Sequence, residues 1–211
     1  MRWSNGFACV AALLGSGLAA DTTVVKDSET GFTFSQFQAE YAIGQDITFR
    51  VAVPSPAPAN YDLVFQIVAP VAVGWTGLAW GGSMINDPLT IGWAFGSTPV
   101  VSVRRTTVRT QPQLYTGATA TLLKTGTHIN GTHWQITAKC GGCSYFTTTG
   151  TTTKSLNANG TNRLAFAYSK TKPPSASAGT SLTVHDVFSY WDHDFSTAGN
   201  ADFATLVQKD T

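Results

Sequence analysis

Gly74-Trp75-Thr76-Gly77-Leu78-Ala79-Trp80-Gly81-Gly82-Ser83-Met84-Ile85-Asn86-Asp87-Pro88 reads as a strand that runs directly into a turn. Residues 74–80 are uncharged and mostly apolar, as a strand within a sheet should be. Two glycines then precede Met84, and Asn86, Asp87 and Pro88 follow it. That is turn chemistry, with a backbone free to approach something closely. Met84 is the only methionine besides the initiator. Methionine usually fills gaps among aliphatics in a core, and a glycine-rich turn is poorly placed for that work. A thioether is a soft, weak ligand, used for copper(I) or for a haem iron. The plainer alternative is a methionine that caps the end of a sandwich. The ligand reading requires a second donor from elsewhere in the chain.

The strand-and-turn pattern repeats outward from this stretch. Residues 31–37 and 47–53 alternate apolar and polar side chains, each a strand with one buried face. Residues 62–69 form a near-continuous apolar run fit for a central strand. Residues 89–95 and 100–104 pair around Gly96-Ser97-Thr98-Pro99, and residues 118–123, 133–139 and 164–168 are further strands. A Pro-rich connection spans 54–60, a Thr-rich surface loop 147–153, and a mobile loop with Pro173-Pro174 spans 170–179. Residues 185–203 mix aromatics with charges, and a short terminal helix is expected over 201–207. No segment shows a long helical period. The pattern predicts an all-β protein, an antiparallel two-sheet immunoglobulin-like β-sandwich. One domain over residues 21–211 is long enough for a good-sized core.

Composition sets the compartment. Charged residues make up only 12% of the 211, about half the usual share. Together with 20 glycines and many Thr and Ser, this suggests an extracellular β protein. Residues 1–20 read as a secretory leader: Arg2 is the charged start, residues 7–18 are apolar, and Ala19 and Ala20 supply a small-residue cleavage site. The run is too short to span a bilayer, which takes about 20 apolar residues. A soluble, secreted monomer is expected, with no membrane partner. Removing Arg2 leaves 12 basic against 12 acidic residues, and that balance argues against a nucleic-acid partner. Cys9 leaves with the leader, so Cys140 and Cys143 remain and should oxidise to a disulfide. Asn130-Gly131-Thr132 and Asn159-Gly160-Thr161 are glycosylation sequons, predicting modified Asn130 and Asn159 on surface loops.

Four histidines are candidates for the second ligand. His128 and His133 flank a sequon and read as surface residues. His193, between Asp192 and Asp194 on a polar stretch, likewise reads as a plain residue and not a ligand. His185 follows the long loop, where chain can be brought back over a pocket, and imidazole is the commonest metal ligand. Zinc wants three or four N/S ligands, and no closely spaced set exists. Blue copper wants a free thiolate, which the disulfide removes. A haem with one Met and one His fits with the least strain. A covalent c-type haem is excluded at Cys140-Gly141-Gly142-Cys143, because Ser144 stands where the attachment motif needs His. Haem brings two propionates, and Arg104, Arg105 and Arg109 are the obvious counter-charges. The alternative for at least one of them is a solvated edge that discourages strand pairing.

These residues resemble a known family. Residues 75–87, Trp-Thr-Gly-Leu-Ala-Trp-Gly-Gly-Ser-Met-Ile-Asn-Asp, and then residues 89–94 resemble the axial-methionine segment of the cytochrome domain of fungal cellobiose dehydrogenases. Residues 185–198 resemble that family's axial-histidine segment, and Cys140-Gly141-Gly142-Cys143 its disulfide region. The likeness covers about residues 22–203. It implies a DOMON-type sandwich holding one non-covalent haem b, with Met84 and His185 as axial ligands and Trp80 as a pocket wall. In the family the domain accepts electrons from a fused flavin domain and passes them to a copper-dependent polysaccharide monooxygenase, ferric iron or dyes. Related iron reductase domains occur alone or attached to other dehydrogenases. The expected donor is therefore a flavin- or quinone-dependent sugar dehydrogenase.

Two departures stand out. The family carries a tyrosine beside the haem propionates where this chain carries Arg109, which is expected to pair with a propionate. The chain also shows no flavin-binding fingerprint, so it is either a stand-alone cytochrome or a piece of a longer protein. An iron with two axial protein ligands has no open position for oxygen, which points to electron transfer and away from oxygenase work. Ferric reductase activity is a weaker reading. The competing class is a haem-free secreted carbohydrate-binding sandwich, with Trp80, Trp93 and Trp191 as sugar platforms.

Overall fold

The computed structural model describes residues 21–209; the leader expected over residues 1–20 lies outside them. In chain order the strands are β1 (Thr23–Lys26), β2 (Thr33–Ala42), β3 (Gln45–Pro54), β4 (Leu63–Pro70), β5 (Trp75–Ala79), β6 (Leu89–Phe95), β7 (Thr98–Arg105) and β8 (Gln113–Leu114). They continue with β9 (Thr119–Leu122), β10 (His128–Ile129), β11 (His133–Gly141), β12 (Tyr145–Thr147), β13 (Thr153–Ser155), β14 (Thr161–Ser169), β15 (Val187–Asp194) and β16 (Gly199–Asn200), before a helix α1 (Phe203–Gln208). One sheet runs β1-β2-β3-β4-β11-β10, with β9 on β11 and β16 on β3. The other runs β15-β14-β5-β6-β7-β8, and β12 and β13 form a separate hairpin. Pairing is antiparallel except between β16 and β3. The expected antiparallel two-sheet sandwich is therefore what the chain forms.

Alternation explains the core. In β3, Ile47, Phe49, Val51 and Val53 point inward and are fully buried, because successive side chains of a strand face opposite ways. They meet Leu78, Leu164, Phe166 and Trp191 of the second sheet in one cluster. Trp191 stacks on Phe37 at 4.4 Å between ring centroids and on Phe49 at 5.8 Å. Each such buried side chain contributes about 1.5–3 kcal/mol.

The second sheet departs from the usual sandwich, in which one face is wet. All five residues of β5 are buried. Thr76 and Leu78 alternate with Trp75, Gly77 and Ala79, so the latter lie on the outer face. There a second apolar cluster gathers Trp75, Ala79, Leu89, Ile91, Trp93 and Ala165. The connection between β14 and β15 covers it: Trp93 Nε1 donates to Ser175 O at 3.1 Å, and Trp75 Nε1 to Thr183 Oγ1 at 3.4 Å. The segment expected to be mobile is thus pinned to the sheet by buried indoles. Residues 187–194, expected only as a mixture of aromatics and charges, form the edge strand β15. Its exposed face tolerates that mixture, while Trp191 and His193 turn inward.

Candidate functional site

The outer face of the second sheet carries a cavity of about 520 Å³, within the size range of small-molecule and cofactor pockets. Its floor is apolar: small Gly77, Ala79, Ala165 and Ala167, with Leu89 and Ile91 at its border. Gly77 must stay small, because a Cβ there would lie 2.9 Å from Thr90 O. The turn after β5 contributes Met84, and the end of the β14–β15 connection contributes His185. Two residues distant in sequence therefore line one cavity, each half-buried.

The methionine turn is locked from below. Asp87 is buried, and its carboxylate accepts the Ser83 N–H at 2.8 Å. Burial pushes the Asp87 pKa up, against the opposing pull of the Ser83 amide and the Lys154 and Arg105 cations. A Cβ on Gly81 would strike that carboxylate, and Gly82 holds a φ of +80° that favours glycine. Ser83 Oγ accepts the Ile85 N–H at 3.0 Å, and Asn86, itself at φ +69°, donates its N–H to Thr106 O at 2.8 Å. Lys154 Nζ donates to Gly81 O at 2.5 Å. The histidine side is clamped by Asp186. Its carboxylate accepts the Lys170 N–H at 2.8 Å and the Ser169 hydroxyl at 3.2 Å, and the Lys170 amide holds the carboxyl below its ordinary pKa. The His185 ring meets Phe188 edge-on at 5.1 Å.

The three clustered arginines separate. Arg109 is exposed and lines the cavity; among the described residues it is the single Lys or Arg of the lining, which holds no carboxylate. Arg105 instead donates to Thr148 O and lies 5.2 Å from the Tyr115 ring centroid. Arg104 is 1% exposed and bonded wholly within the protein. Neither lines the cavity, so the expected counter-charge group reduces to Arg109.

Trp80, expected as a pocket wall, is not in the lining. It follows β5 on the inner parity, packs edge-on against Phe65 at 5.8 Å, and donates from Nε1 to Thr90 Oγ1 at 3.2 Å. Trp80, Trp93 and Trp191 are all at most 1% exposed, so none offers an open face for sugar stacking. His193 is fully buried. Its Nδ1 accepts the Trp191 indole N–H at 2.9 Å and its Nε2 donates to Ser35 O at 3.2 Å, a neutral imidazole with both nitrogens used. Burial lowers its pKa to about 4, against the raising effects of Ser35 O and Asp194. His128 and His133 are exposed, and His128 Nδ1 lies 3.4 Å from Glu29.

The donor set suits haem. Met84 and His185 supply one soft thioether and one imidazole, and among the described residues no three His, Cys, Asp or Glu side chains gather into a metal site. An apolar floor with the Arg109 cation beside it fits an apolar ring bearing carboxylates. Sequence reasoning missed Asp87, Asp186, Phe188 and Tyr190 as parts of this site. Two glycines directly before a turn that ends in Asp were the available signal for Asp87; nothing local marked the others.

A family model for the cytochrome domain of cellobiose dehydrogenase matches residues 25–205. The chain is 36% identical over 149 residues to a pyrroloquinoline quinone-dependent pyranose dehydrogenase of Coprinopsis cinerea, covering 70% of this chain and 19% of that protein. It thus spans about a fifth of the length of the curated relatives it matches. The crystal structure of the cytochrome b domain of pyranose dehydrogenase from Coprinopsis cinerea superposes with a TM-score of 0.77 at 30% identity, covering 90% of this chain and 96% of that one. The cytochrome domain of Myriococcum thermophilum cellobiose dehydrogenase shares the fold, with a TM-score of 0.81 at 22% identity over 92% and 98% of the two chains.

Proposed function

The chain belongs to the family of cytochrome domains of cellobiose dehydrogenase, and on that premise we propose that it is a secreted one-electron carrier holding one haem b between Met84 and His185. The family implies electron transfer and a b-type haem. The observation that supports this ligand pair is that a lone turn methionine and a distant histidine line one apolar cavity. A bound haem supplies a ferric/ferrous couple in that cavity. The residues of the chain do the rest. Met84 and His185 would be the two residues that hold the iron, and a thioether donor would favour the reduced state and raise the potential. The floor of Gly77, Ala79, Ala165 and Ala167 excludes water. Arg109 would supply the cation for a propionate and the positive charge at the cavity's rim. The donor is a flavin- or quinone-dependent sugar dehydrogenase, and the acceptor a copper-dependent polysaccharide monooxygenase or ferric iron. Docking occurs at the edge formed by the turn of Met84 and the loop of Arg109. The disulfide Cys140–Cys143 and the exposure of Asn130 and Asn159 support secretion and glycosylation of those two asparagines.

Visible spectra of the oxidised and dithionite-reduced protein test this reading. A sharp low-spin b-type spectrum is expected, lost in Met84→Ala and in His185→Ala but kept in His193→Ala. A colourless protein prepared with haem supplied would overturn it. Arg109→Leu is expected to lower both haem affinity and midpoint potential; a variant with both unchanged would remove Arg109 from the site. Stopped-flow mixing of the reduced protein with a copper monooxygenase or with ferric iron identifies the acceptor.

A further inference from the structure

Arg104 is the last residue but one of β7, at the root of the loop over residues 106–112, which carries Arg109. Its side chain lies on the outer face of the sheet, directly across from Leu89 of the cavity floor. It is 1% exposed, and its partners among the described residues are one hydroxyl and three carbonyl oxygens, with no carboxylate. Nη1 donates to Pro112 O at 3.3 Å, at the far end of the Arg109 loop. Nη2 donates to Ala178 O and Thr180 O, both at 2.6 Å, in the connection that ends in His185. Nε donates to Ser102 Oγ at 2.9 Å, and Ser102 Oγ in turn donates to Ala178 O at 2.7 Å. One guanidinium thus bonds two loops that are otherwise far apart in sequence; the first brings Arg109, Thr110 and Gln111 to the cavity, and the second brings Thr183 and His185.

We infer that Arg104 is the positioning residue that fastens the Arg109 loop to the His185 loop and so sets the spacing of the groups that grip the cofactor. The planar fork is what the task needs. Five donors in fixed directions can satisfy carbonyls of two segments at once, whereas an ammonium is a point donor on a flexible stem. Burial lowers the Arg104 pKa but leaves it an arginine, charged throughout the working range. Without Arg104, Pro112 O and Thr180 O would lose this donor and Ala178 O would keep only the Ser102 hydroxyl, which would loosen both loops together. The alternative role, a solvated sheet edge, is inconsistent with a side chain this buried.

The inference rests on the proposed haem site, so its test has one arm that needs no haem. Arg104→Lys and Arg104→Met are compared with the wild type as full chains, by hydrogen exchange on the haem-free protein. Faster exchange in both residues 106–112 and residues 176–182 is expected in each variant, with β2 and β3 unchanged. Wild-type exchange, or loosening of only one loop, would overturn the inference. Arg104→Lys keeps the charge and is the readable variant if Arg104→Met does not fold. In the haem-loaded protein, haem transfer to apomyoglobin should be faster by about tenfold or more, the order set by one lost charge-assisted hydrogen bond. The His–Met spectral signature should weaken in the same variants. If the wild type takes up no haem, the functional reading fails while the exchange result still decides the role of Arg104.

Discussion

His185 and His193 carry the same imidazole within one nine-residue stretch, yet their surroundings assign them opposite work. His193 is enclosed by Trp191, Phe195 and Ser35, and its pKa falls to about 4 through burial. The unfolded chain, with a histidine pKa of about 6.5, binds this proton more readily than the fold does. Stability therefore rises with pH between about 4 and 6.5 and is lost as pH falls through that window. At 1.36 kcal/mol per pKa unit the loss is about 3 kcal/mol by pH 4. Urea unfolding of His193→Gln should show a protein less stable at pH 7 but with a flatter decline toward pH 4. Asp87 has the opposite linkage. A carboxyl raised by burial binds its proton more tightly in the fold, so its contribution falls as pH rises above the ordinary carboxylate value. Asp87→Asn, which keeps an acceptor for the Ser83 N–H, should remove that decline and leave the Met84 spectrum intact. Asp87→Ala should disturb the spectrum, because the turn loses its acceptor.

At the scale of elements, the decisive feature is the outer face of β5, β6 and β14. Small side chains on β5 and β14 make a floor, and Leu89 and Ile91 of β6 border it. Filling the floor should block the cofactor without breaking the sandwich, since inner and outer faces are separated by strand parity. Ala167→Phe is expected to bind haem at least tenfold more weakly, about 1.4 kcal/mol or more, measured by haem titration, while its far-UV circular dichroism stays that of the wild type. Gly77→Val should act differently. Its new side chain meets Thr90 O and Ile91, so it costs stability as well, about 1–3 kcal/mol by overpacking. The β14–β15 connection shows the limit of local reading. Pro, Ser and Ala suggest mobility, but the carbonyls of Ser175, Ala178 and Thr180 find Trp93, Ser102 and Arg104 across the sheet.

The whole molecule divides its labour between two sheets. The inner faces of both sheets share the core, the large sheet carries Cys140 of the disulfide, and the outer face of the smaller one supplies the site. Cys140 and Cys143 are joined and fully buried. A crosslink over so short a loop contributes about 2 kcal/mol through chain entropy. Cys140→Ala with Cys143→Ala should lower the unfolding free energy by about that amount in urea and leave the haem spectrum unchanged. Strand positions, the antiparallel sandwich and the odd turn of Met84 were legible in the chain, because alternation and turn chemistry are local: each residue's neighbours fix its face and its backbone angles. The family likeness was legible for the same reason, since it rests on contiguous motifs. Which side of the second sheet would be covered was not legible, nor was the burial of His193 between two aspartates or of Trp80 at the end of β5. The roles of Arg104 and Asp87 were equally hidden. A side chain's burial and its partners depend on which distant segment crosses it. Arg104 looked like one of three equivalent cations until packing gave it the carbonyls of two loops, and Arg109 became the cavity's cation because folding left it free. The sequence by itself determined the strands, the sandwich and the pair of candidate ligands; only the tertiary structure decided that Met84, His185 and Arg109 share one cavity, because their meeting depends on long-range packing of loops that no local pattern encodes.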